Sequence, residues 1–282
     1  MLAKGTLYVC GTPIGNLRDI TLRVLDTLRE VDLIAAEDTR HSRKLLQHYQ
    51  INTRMISYHE HNEKKKSLEL VEKLKCGQAI ALISDAGLPG ISDPGTELIR
   101  LCLEESIPVD VLPGPNAALT ALVLSGMPTE HFAFHGFLPS STGAKKRSLE
   151  QLVNLPQTQI FYEAPHRLVA TLEAMSECFG DRSAAVVREL TKLHQQVHSG
   201  TIFELKEAFE TSEPRGECCI ILAPYVPVKP IGGPEQWCLE VKERVDLGLT
   251  KKDAMKDVAK RYGVRKSDVY QALLGSQVFD KK

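Results

Sequence analysis

The sequence predicts an α/β protein made of two α/β domains and a small C-terminal helical module of the helix-turn-helix type. Three observations predict this class: short apolar runs alternate with helical patterns in the first half, a second alternating series starts near Glu130, and a proline-rich stretch precedes a basic helical tail. The length of 282 residues agrees, since a domain averages roughly 150 residues. The expected parts are an N-terminal domain over 1–117, a second domain over 118–225, a linker over 226–234 and the helical module over 235–282.

The N-terminal domain is predicted to contain a mostly parallel sheet with helices on both faces, because strands and helices alternate along it. Its predicted strands are Thr6–Cys10, Leu33–Ala36, Ala79–Ile83 and Val109–Leu112. Its predicted helices are Asp19–Val31, Lys65–Leu74, Thr96–Glu104 and Ala117–Leu124. Asp19 is the expected N-cap of the first helix, in which Ile20, Val24 and Leu28 recur at helical spacing.

The second domain is predicted to hold a mixed sheet that is antiparallel in its later strands. Its strands are expected at Phe132–Phe137, Gln159–Tyr162, Ala184–Val187, Gly200–Phe203 and Cys218–Leu222. Its helices are expected at Lys145–Asn154, Arg167–Cys178 and Glu204–Glu210. Helices of the tail are predicted at Gln236–Leu247, Lys252–Arg261 and Lys266–Leu274, and the last two meet at a glycine-containing turn typical of helix-turn-helix modules.

The net charge of −1 conceals an uneven distribution. From Lys229 to the end, 12 Lys and Arg residues face 8 Asp and Glu residues, whereas the preceding 228 residues hold 23 and 28. A basic tail on an acidic body favours contact between the tail and a polyanion over a merely solvated helical surface, because the charge coincides with the helix-turn-helix pattern.

Several classes of protein are disfavoured by the sequence. It has no apolar run of about 18 residues and starts without the apolar segment of a signal peptide, so no membrane partner is expected. Seven cysteines without a CxxC pair favour reduced thiols in the cytoplasm over a disulfide framework. His59 and His61 flank Glu60, but no third ligand has suitable spacing, and no metal site is predicted.

Three loops rich in glycine and proline follow predicted strands of the first domain: 11–16, 84–95 and 113–117. The middle loop, SDAGLPGISDPG, is longer and richer in such residues than an ordinary turn. Loops that follow parallel strands meet at one edge of the sheet, which is where ligands bind in such folds. A pocket built from backbone groups suits a neutral or zwitterionic ligand with an adenosine or amino-acid portion. The first loop matches neither GxGxxG nor the phosphate-binding lysine motif.

Polar segments also follow other predicted strands. Glu37–Arg40 is expected to be a substrate-facing polar loop, and Phe161–Arg167 and Arg188–Lys192 are expected to form a second wall of the same cleft. Structural ion-pair networks are the alternative interpretation of the last two segments.

These segments together resemble the tetrapyrrole methylase superfamily of S-adenosylmethionine-dependent methyltransferases. The strings that carry the resemblance are GTPIGNL (11–17), AEDTR (36–40), SDAGLPGISDPG (84–95), PGPNA (113–117), FYEAPHR (161–167) and RELTK (188–192). Their forms fit the RNA-modifying branch better than the corrin-ring and diphthamide enzymes. The resemblance implies two domains with a cofactor cleft between them, a homodimer, and S-adenosylmethionine as methyl donor without a metal. It also implies 2′-O-ribose methylation of a cytidine in small-subunit ribosomal RNA, either naked or in the assembled 30S particle.

The resemblance gives the expected donor contacts, and the chemistry of methyl transfer and the charge of the side chains give the other expected roles. Donor contacts are expected from Gly11, Pro13, Ser84, Asp85, Ala86, Leu88, Asn116, Ala117, Phe161 and Tyr162. The general base is expected to be Lys192, with a pKa lowered by burial, or Glu163, and Glu189 is expected to orient Lys192. Arg40, His166 and Arg167 are expected to anchor phosphate or ribose, and Lys251, Lys252 and Lys256 of the tail to dock RNA.

Two other functions stay open from the sequence. One is a regulator that senses a nucleotide-like effector through its α/β body and binds DNA through its tail. The other is a methylase of a tetrapyrrole or another small molecule, for which the basic tail has no use.

Overall fold

The first sheet is built from five strands that lie between residues 7 and 112, and all of its strands are parallel. The computed structural model describes residues 2–212, 216–227 and 232–276. The strands are β1 (Leu7–Cys10), β2 (Leu33–Ala36), β3 (Met55–Ser57), β4 (Ile80–Ile83) and β5 (Val109–Leu112), in the spatial order β3-β2-β4-β1-β5. The helices α1 (Leu22–Glu30), α2 (Thr39–His48), α3 (Glu63–Lys75) and α4 (Thr96–Glu104) make the crossovers. Each face of the sheet carries its own apolar cluster, which explains why β1, β2 and β4 are buried along their whole length. The predicted mostly parallel sheet is confirmed.

Three details of this part differ from the predictions. The first helix is capped by Thr21, whose hydroxyl accepts from the Val24 N–H, and not by Asp19, which ends a short 3-10 turn. The α2 helix was not predicted, because its buried face has only Leu45, Leu46 and a serine to signal a helix. The β3 strand has three half-buried residues, too few for a periodic pattern.

The second sheet is mixed, as predicted. Its strands are β6 (Phe132–Phe137), β7 (Thr158–Glu163), β8 (Ser183–Arg188), β9 (Gln196–Thr201) and β10 (Cys218–Leu222), in the order β6-β7-β10-β8-β9. Only the β6–β7 pair is parallel. Helix α5 (Ala117–Ser125) packs on one face, and the other face meets α6 (Thr142–Glu150), α7 (Leu168–Phe179) and α8 (Ile202–Thr211).

The strand predicted at Gly200–Phe203 was misplaced. The observed strand ends at Thr201, where a capping box starts α8: the Thr201 hydroxyl accepts from the Glu204 N–H, and the Glu204 carboxylate accepts from the Thr201 N–H. Two orphan donors are satisfied in this way, and the chain turns into a helix instead of continuing the strand.

Both sheets belong to one compact unit that extends through Tyr225, and a second unit begins at Val226. The domain boundary at residue 117 therefore stays a prediction. The second unit consists of α9 (Pro234–Asp246), α10 (Lys251–Tyr262) and α11 (Lys266–Gly275), which confirms the three tail helices. Residues 228–231 of the expected linker and 277–282 of the expected module lie outside the described residues.

The helical unit has its own core, which also holds the buried carboxylate of Glu240. Cys238, Val241, Val258 and Val269 are almost fully buried between the three helices. The Glu240 carboxylate accepts hydrogen bonds from the Tyr262 hydroxyl and from the Arg244 guanidinium. Gly263 takes a left-handed conformation (φ +65°) and ends α10. The helix-turn-helix label for this unit stays a prediction. None of the described helices is long and apolar enough to cross a membrane.

Candidate active site

The loops that follow β1 and β4 are joined to each other by backbone hydrogen bonds. The Thr12 N–H donates to the Gly87 carbonyl (2.8 Å), the Gly87 N–H donates back to the Thr12 carbonyl (3.1 Å), and the Thr12 hydroxyl donates to the Ser84 carbonyl (3.1 Å). The loop after β5 approaches from the other side, where a Cβ at Gly11 would lie only 3.1 Å from the Gly114 Cα. Glycine is therefore required for this close approach, and all three predicted loops meet at one edge of the sheet, as expected.

A cavity of about 310 Å³ lies where this edge meets the second sheet. Its lining includes six residues expected to bind the donor or take part in catalysis: Ala86, Leu88, Asn116, Ala117, Tyr162 and Glu163. Its lining also includes residues that the sequence analysis did not single out, among them Ile14, Asp93, Phe137, Leu190, Glu217, Cys218 and Cys219. Burial raises the pKa of the Cys219 thiol to about 12, so this thiol stays protonated at neutral pH.

The remaining residues expected to bind the donor are placed differently. Gly11 and Pro13 are buried, and the neighbouring Ile14 reaches the cavity in their place. The Phe161 side chain is fully buried and stacks on His135, because Phe161 and Tyr162 point to opposite faces of β7. The expected donor contact of the Phe161 side chain is therefore not supported by its position.

Ser84 and Asp85 are absent from the cavity lining and bond to the backbone next to it. The Ser84 hydroxyl donates to the Ala86 carbonyl (3.3 Å). One carboxylate oxygen of Asp85 accepts from the Asp38 N–H (3.1 Å), and the Asp85 N–H donates to the Glu37 carboxylate (3.3 Å). These bonds connect the ends of β2 and β4.

Asp93 and Glu217 are the two carboxyl groups among the described residues of the cavity lining that the sequence did not point to, and Asp93 is the more buried of them. Burial, reinforced by the negative charges of Glu37 and Asp85, raises the pKa of Asp93 from 3.8 to about 7. Burial also raises the pKa of Glu37. The only sequence signal for Asp93 was its place in the second half of the SDAGLPGISDPG loop.

Glu163 does not have the environment expected of a general base. Its side chain is completely buried and accepts from the Thr171 hydroxyl (2.6 Å), the Ala164 N–H (2.9 Å) and the Arg167 guanidinium (3.1 Å). The Lys145 ammonium donates to the same Thr171 hydroxyl (2.8 Å). The carboxylate is thus held in an ion-pair network under α7, which was the alternative interpretation of this segment.

Lys192 also differs from its expected state. Burial lowers its pKa, but the Glu189 carboxylate (2.9 Å) and the Glu217 carboxylate (3.3 Å) outweigh burial and raise it. The predicted lowering of the pKa is wrong, because both carboxylates stabilise the ammonium form. Glu189 makes the contact with Lys192 that the expected orienting role requires, and it also accepts from the Glu217 N–H (3.2 Å). The orienting role itself stays a prediction.

The loop that carries Lys192 packs closely against Gly15 in the loop after β1. A Cβ at Gly15 would lie 2.6 Å from the Leu190 carbonyl oxygen and 2.7 Å from the Lys192 side chain. Glu189 and Thr191 both have positive φ (+50° and +63°), a conformation that costs energy for residues other than glycine. This strained loop contributes Leu190 to the lining of the cavity.

The three residues expected to anchor phosphate or ribose differ in their exposure and in their hydrogen bonds. Arg167 donates to the Leu138 carbonyl (2.6 Å) and pairs with Glu163, so its guanidinium group stabilises the fold. Arg40 is 89% exposed and pairs with Asp38, where its hydrogen bonds hold the pKa of Asp38 at about 2. His166 is exposed. Arg40 and His166 thus remain accessible to a polyanion.

In the helical unit, the three expected RNA-docking lysines occupy the first turns of α10. Lys251, Lys252 and Lys256 are all exposed. The described residues of both units include no group of three His, Cys, Asp or Glu side chains that could hold a metal ion.

The cavity suits S-adenosylmethionine by the chemistry of its walls. Ile14, Leu88 and Leu190 offer apolar surface, and the loop at 86–88 offers backbone groups. Asn116 uses its side-chain oxygen to cap α5 through the Leu119 N–H (3.0 Å), which leaves its amide NH₂ to donate to a ligand. The residues present therefore fit a ligand that has aliphatic and ring surface between polar ends.

Comparison with known proteins identifies the family. Residues 6–206 match the tetrapyrrole (corrin/porphyrin) methylases. A Bacillus subtilis relative called "Ribosomal RNA small subunit methyltransferase I" is 47% identical over 274 residues, spanning 95% of this chain and 94% of its own length. A Synechocystis relative of the same name is 45% identical over 272 residues, spanning 96% of this chain and 98% of its own length.

Solved structures show the same fold at low sequence identity. A Thermus thermophilus uroporphyrin-III C-methyltransferase complexed with S-adenosyl homocysteine has a TM-score of 0.56 at 18% identity and covers 77% of this chain and 97% of its own. A diphthine synthase has a TM-score of 0.59 at 13% identity and covers 77% of this chain and 89% of its own. From its sequence, its loops and its two sheets, this chain belongs to the tetrapyrrole methylase family.

Proposed function

We propose that this chain is an S-adenosylmethionine-dependent methyltransferase that methylates the 2′-hydroxyl of a cytidine in small-subunit ribosomal RNA. The observation that carries the proposal is the cavity formed by the loops after β1, β4 and β5 together with Tyr162 of the second sheet. Near-complete coverage of relatives named as small-subunit ribosomal RNA methyltransferases supports the RNA substrate. The basic tail, which a small-molecule methylase does not need, supports it as well.

The residues of the cavity hold and align the reactants. Bound S-adenosylmethionine supplies a methyl group on a positively charged sulfur, so the reaction needs alignment and the removal of one proton. The Asn116 amide and the backbone of 86–88 bind the polar ends of the donor, while Ile14 and Leu190 keep water from its centre. The Tyr162 hydroxyl accepts from the Ala118 N–H (3.1 Å), which fixes the ring against α5. Alignment of this kind accelerates the transfer as if one reactant were present at an effective molarity on the order of 10⁵ M or more.

Methyl transfer from radiolabelled S-adenosylmethionine to isolated small ribosomal subunits tests the proposal. We expect label on the ribose of one cytidine when the product nucleosides are separated. Protein-free RNA tested in parallel reveals whether the assembled 30S particle is required. Transfer to a tetrapyrrole and not to RNA would contradict the proposal and favour the small-molecule methylase.

We also propose that the protein is a homodimer, supported by an apolar surface on α5. Val123 is 74% exposed, and Leu119 and Leu124 are exposed beside it. Large apolar side chains grouped on one helix are typical of a subunit interface. Sedimentation of the wild type is expected to give twice the monomer mass, and Val123→Asp is expected to shift it to the monomer. A monomeric wild type would contradict this part of the proposal.

A further inference from the structure

Asp93 is held on the cavity wall by a fixed stretch of backbone. Ser92, immediately before it, has a left-handed φ of +62°, and Pro94, immediately after it, has a restricted φ and no N–H. Gly95 then takes φ +142° to start α4, with the Leu82 side chain 3.0 Å from where a Cβ would be. These constraints fix the course of the backbone that places Asp93 in the cavity wall.

The groups around Asp93 are acidic or neutral. Glu37 and Asp85 act on it from the ends of β2 and β4, and Ser84 offers a hydroxyl. Tyr162 and Glu217 face the same cavity from the second sheet. Among the described residues that line the cavity there is no Lys, Arg or His to neutralise the Asp93 carboxylate. This carboxyl group is therefore not explained as half of a structural ion pair.

We propose that Asp93 is the catalytic residue that accepts the proton of the acceptor hydroxyl during methyl transfer. The inference rests on the proposed function and deepens it. The Asp93 carboxylate takes the proton as the hydroxyl oxygen forms its bond to the methyl carbon. The electron pair of the broken carbon–sulfur bond stays on sulfur, which leaves as a neutral thioether, and Asp93 later releases the proton to water.

The properties of Asp93 suit this step better than those of the other candidates. A base is most effective when its pKa is near the working pH, and the pKa of Asp93 is about 7. The hydroxyl becomes strongly acidic as its oxygen bonds to carbon, so a carboxylate is basic enough to accept the proton. By contrast, the Glu163 carboxylate is occupied by Arg167 and Thr171, and Lys192 stays protonated between two carboxylates. Glu217 is 76% exposed and paired with Lys192.

The test compares Asp93→Asn and Asp93→Glu with a control, Asp26→Asn, which removes an exposed carboxylate paired with Arg29 on α1. Single-turnover methyl transfer to small ribosomal subunits is measured at saturating donor between about pH 5 and pH 9, and the affinity for S-adenosylhomocysteine is measured by calorimetry. For Asp93→Asn we expect a rate about 10²- to 10⁴-fold lower, with unchanged S-adenosylhomocysteine affinity. The wild-type rate should rise with pH through a midpoint near 7, and the Asn variant should lose this rise. Asp93→Glu should keep a rise with pH, and the control should behave as the wild type.

Three outcomes would overturn the inference. A near-normal rate for Asp93→Asn excludes a role in proton transfer. A normal rate at saturating donor with weakened S-adenosylhomocysteine affinity makes Asp93 a donor-binding group. A wild-type protein that binds S-adenosylhomocysteine yet methylates no RNA overturns the proposed function itself, and this inference falls with it.

Discussion

Asp93 makes the stability of the unit that ends at Tyr225 depend on pH, because its pKa is about 7 in the folded protein and 3.8 in the unfolded chain. Between these two values the folded state binds more protons than the unfolded state, so the free energy of unfolding falls as pH rises. The stabilisation that the raised pKa of Asp93 gives the folded state is fully present below about pH 4 and is lost as pH rises through 7. At pH 8 the wild type carries a cost of about 1 to 3 kcal/mol.

Asp93→Asn removes this cost, since an amide does not ionise. We expect the variant to melt at a higher temperature than the wild type at pH 8, with the difference shrinking at pH 5. Calorimetric melting of both proteins without ligand measures the effect. Equal melting temperatures at pH 8 would mean that the carboxyl group is better solvated than its surroundings indicate.

Glu163 is expected to matter for stability more than for proton transfer. Glu163→Ala leaves the Arg167 guanidinium without its carboxylate and the Thr171 hydroxyl without its acceptor. Breaking a buried pair in this way costs roughly 3 to 5 kcal/mol, and Glu163→Gln should cost less because it keeps an acceptor oxygen. Urea unfolding measures both costs. If Glu163→Gln kept its stability yet lost methyl transfer, the assignment of Glu163 as the base would return.

At the scale of elements, the cavity depends on the fit between the loop after β1 and the strained loop 189–192. Gly15→Ala places a methyl group 2.6 Å from the Leu190 carbonyl oxygen, at a φ of +154° that disfavours any side chain. We expect the loops to separate and the affinity for S-adenosylhomocysteine to fall at least tenfold, which corresponds to about 1.4 kcal/mol. Gly143→Ala is the matched control, because its new methyl group would meet nothing closer than 3.6 Å. Calorimetric titration distinguishes the two variants, and unchanged affinity in Gly15→Ala would show that the contact between these two loops does not shape the cavity.

Elements with strong periodicity were predictable from the sequence, and those fixed by local hydrogen bonds were less so. The β2 strand was predicted at its observed bounds because four buried apolar residues stand between polar neighbours. The boundary between β9 and α8 was missed because it depends on the reciprocal bonds of Thr201 and Glu204. Alternation along β7, however, already implied that Phe161 and Glu163 share a face that Tyr162 does not.

At the scale of the molecule, sequence order predicted which loops meet but not the electrostatics that result. The parallel topology brings the three loops to one edge, as their positions after strands indicated. The pKa of Asp93 depends on burial and on Glu37 from another loop, and that of Lys192 depends on Glu217 from another loop as well as on its neighbour Glu189. A local sequence pattern shows neither the burial nor the contacts between loops. For that reason the cavity was predictable, whereas the assignment of the base was not.

The division of the molecule into two units predicts that donor binding and RNA binding can be separated. A chain ended after Pro227 keeps the Tyr225 N–H bonded to the Leu155 carbonyl (2.9 Å) and the Arg182 guanidinium over the Tyr225 ring. We expect it to bind S-adenosylhomocysteine as the full chain does and to lose affinity for small ribosomal subunits. In the full chain, charge reversal at Lys251, Lys252 and Lys256 should weaken RNA binding and reduce its salt dependence, by roughly 0.7 to 0.9 in the logarithmic slope per lost phosphate contact.

Charge reversal at the exposed lysines Lys64, Lys65 and Lys73 of α3 is the matched control, because it changes the net charge equally in the other unit. A filter-binding titration at several salt concentrations compares the two triple variants. If both variants lower the affinity and the slope equally, the effect belongs to net charge and the helical unit does not dock RNA. If only the α10 variant does so while its methyl-transfer rate at saturating RNA is kept, the unit serves binding and leaves the chemical step to the body.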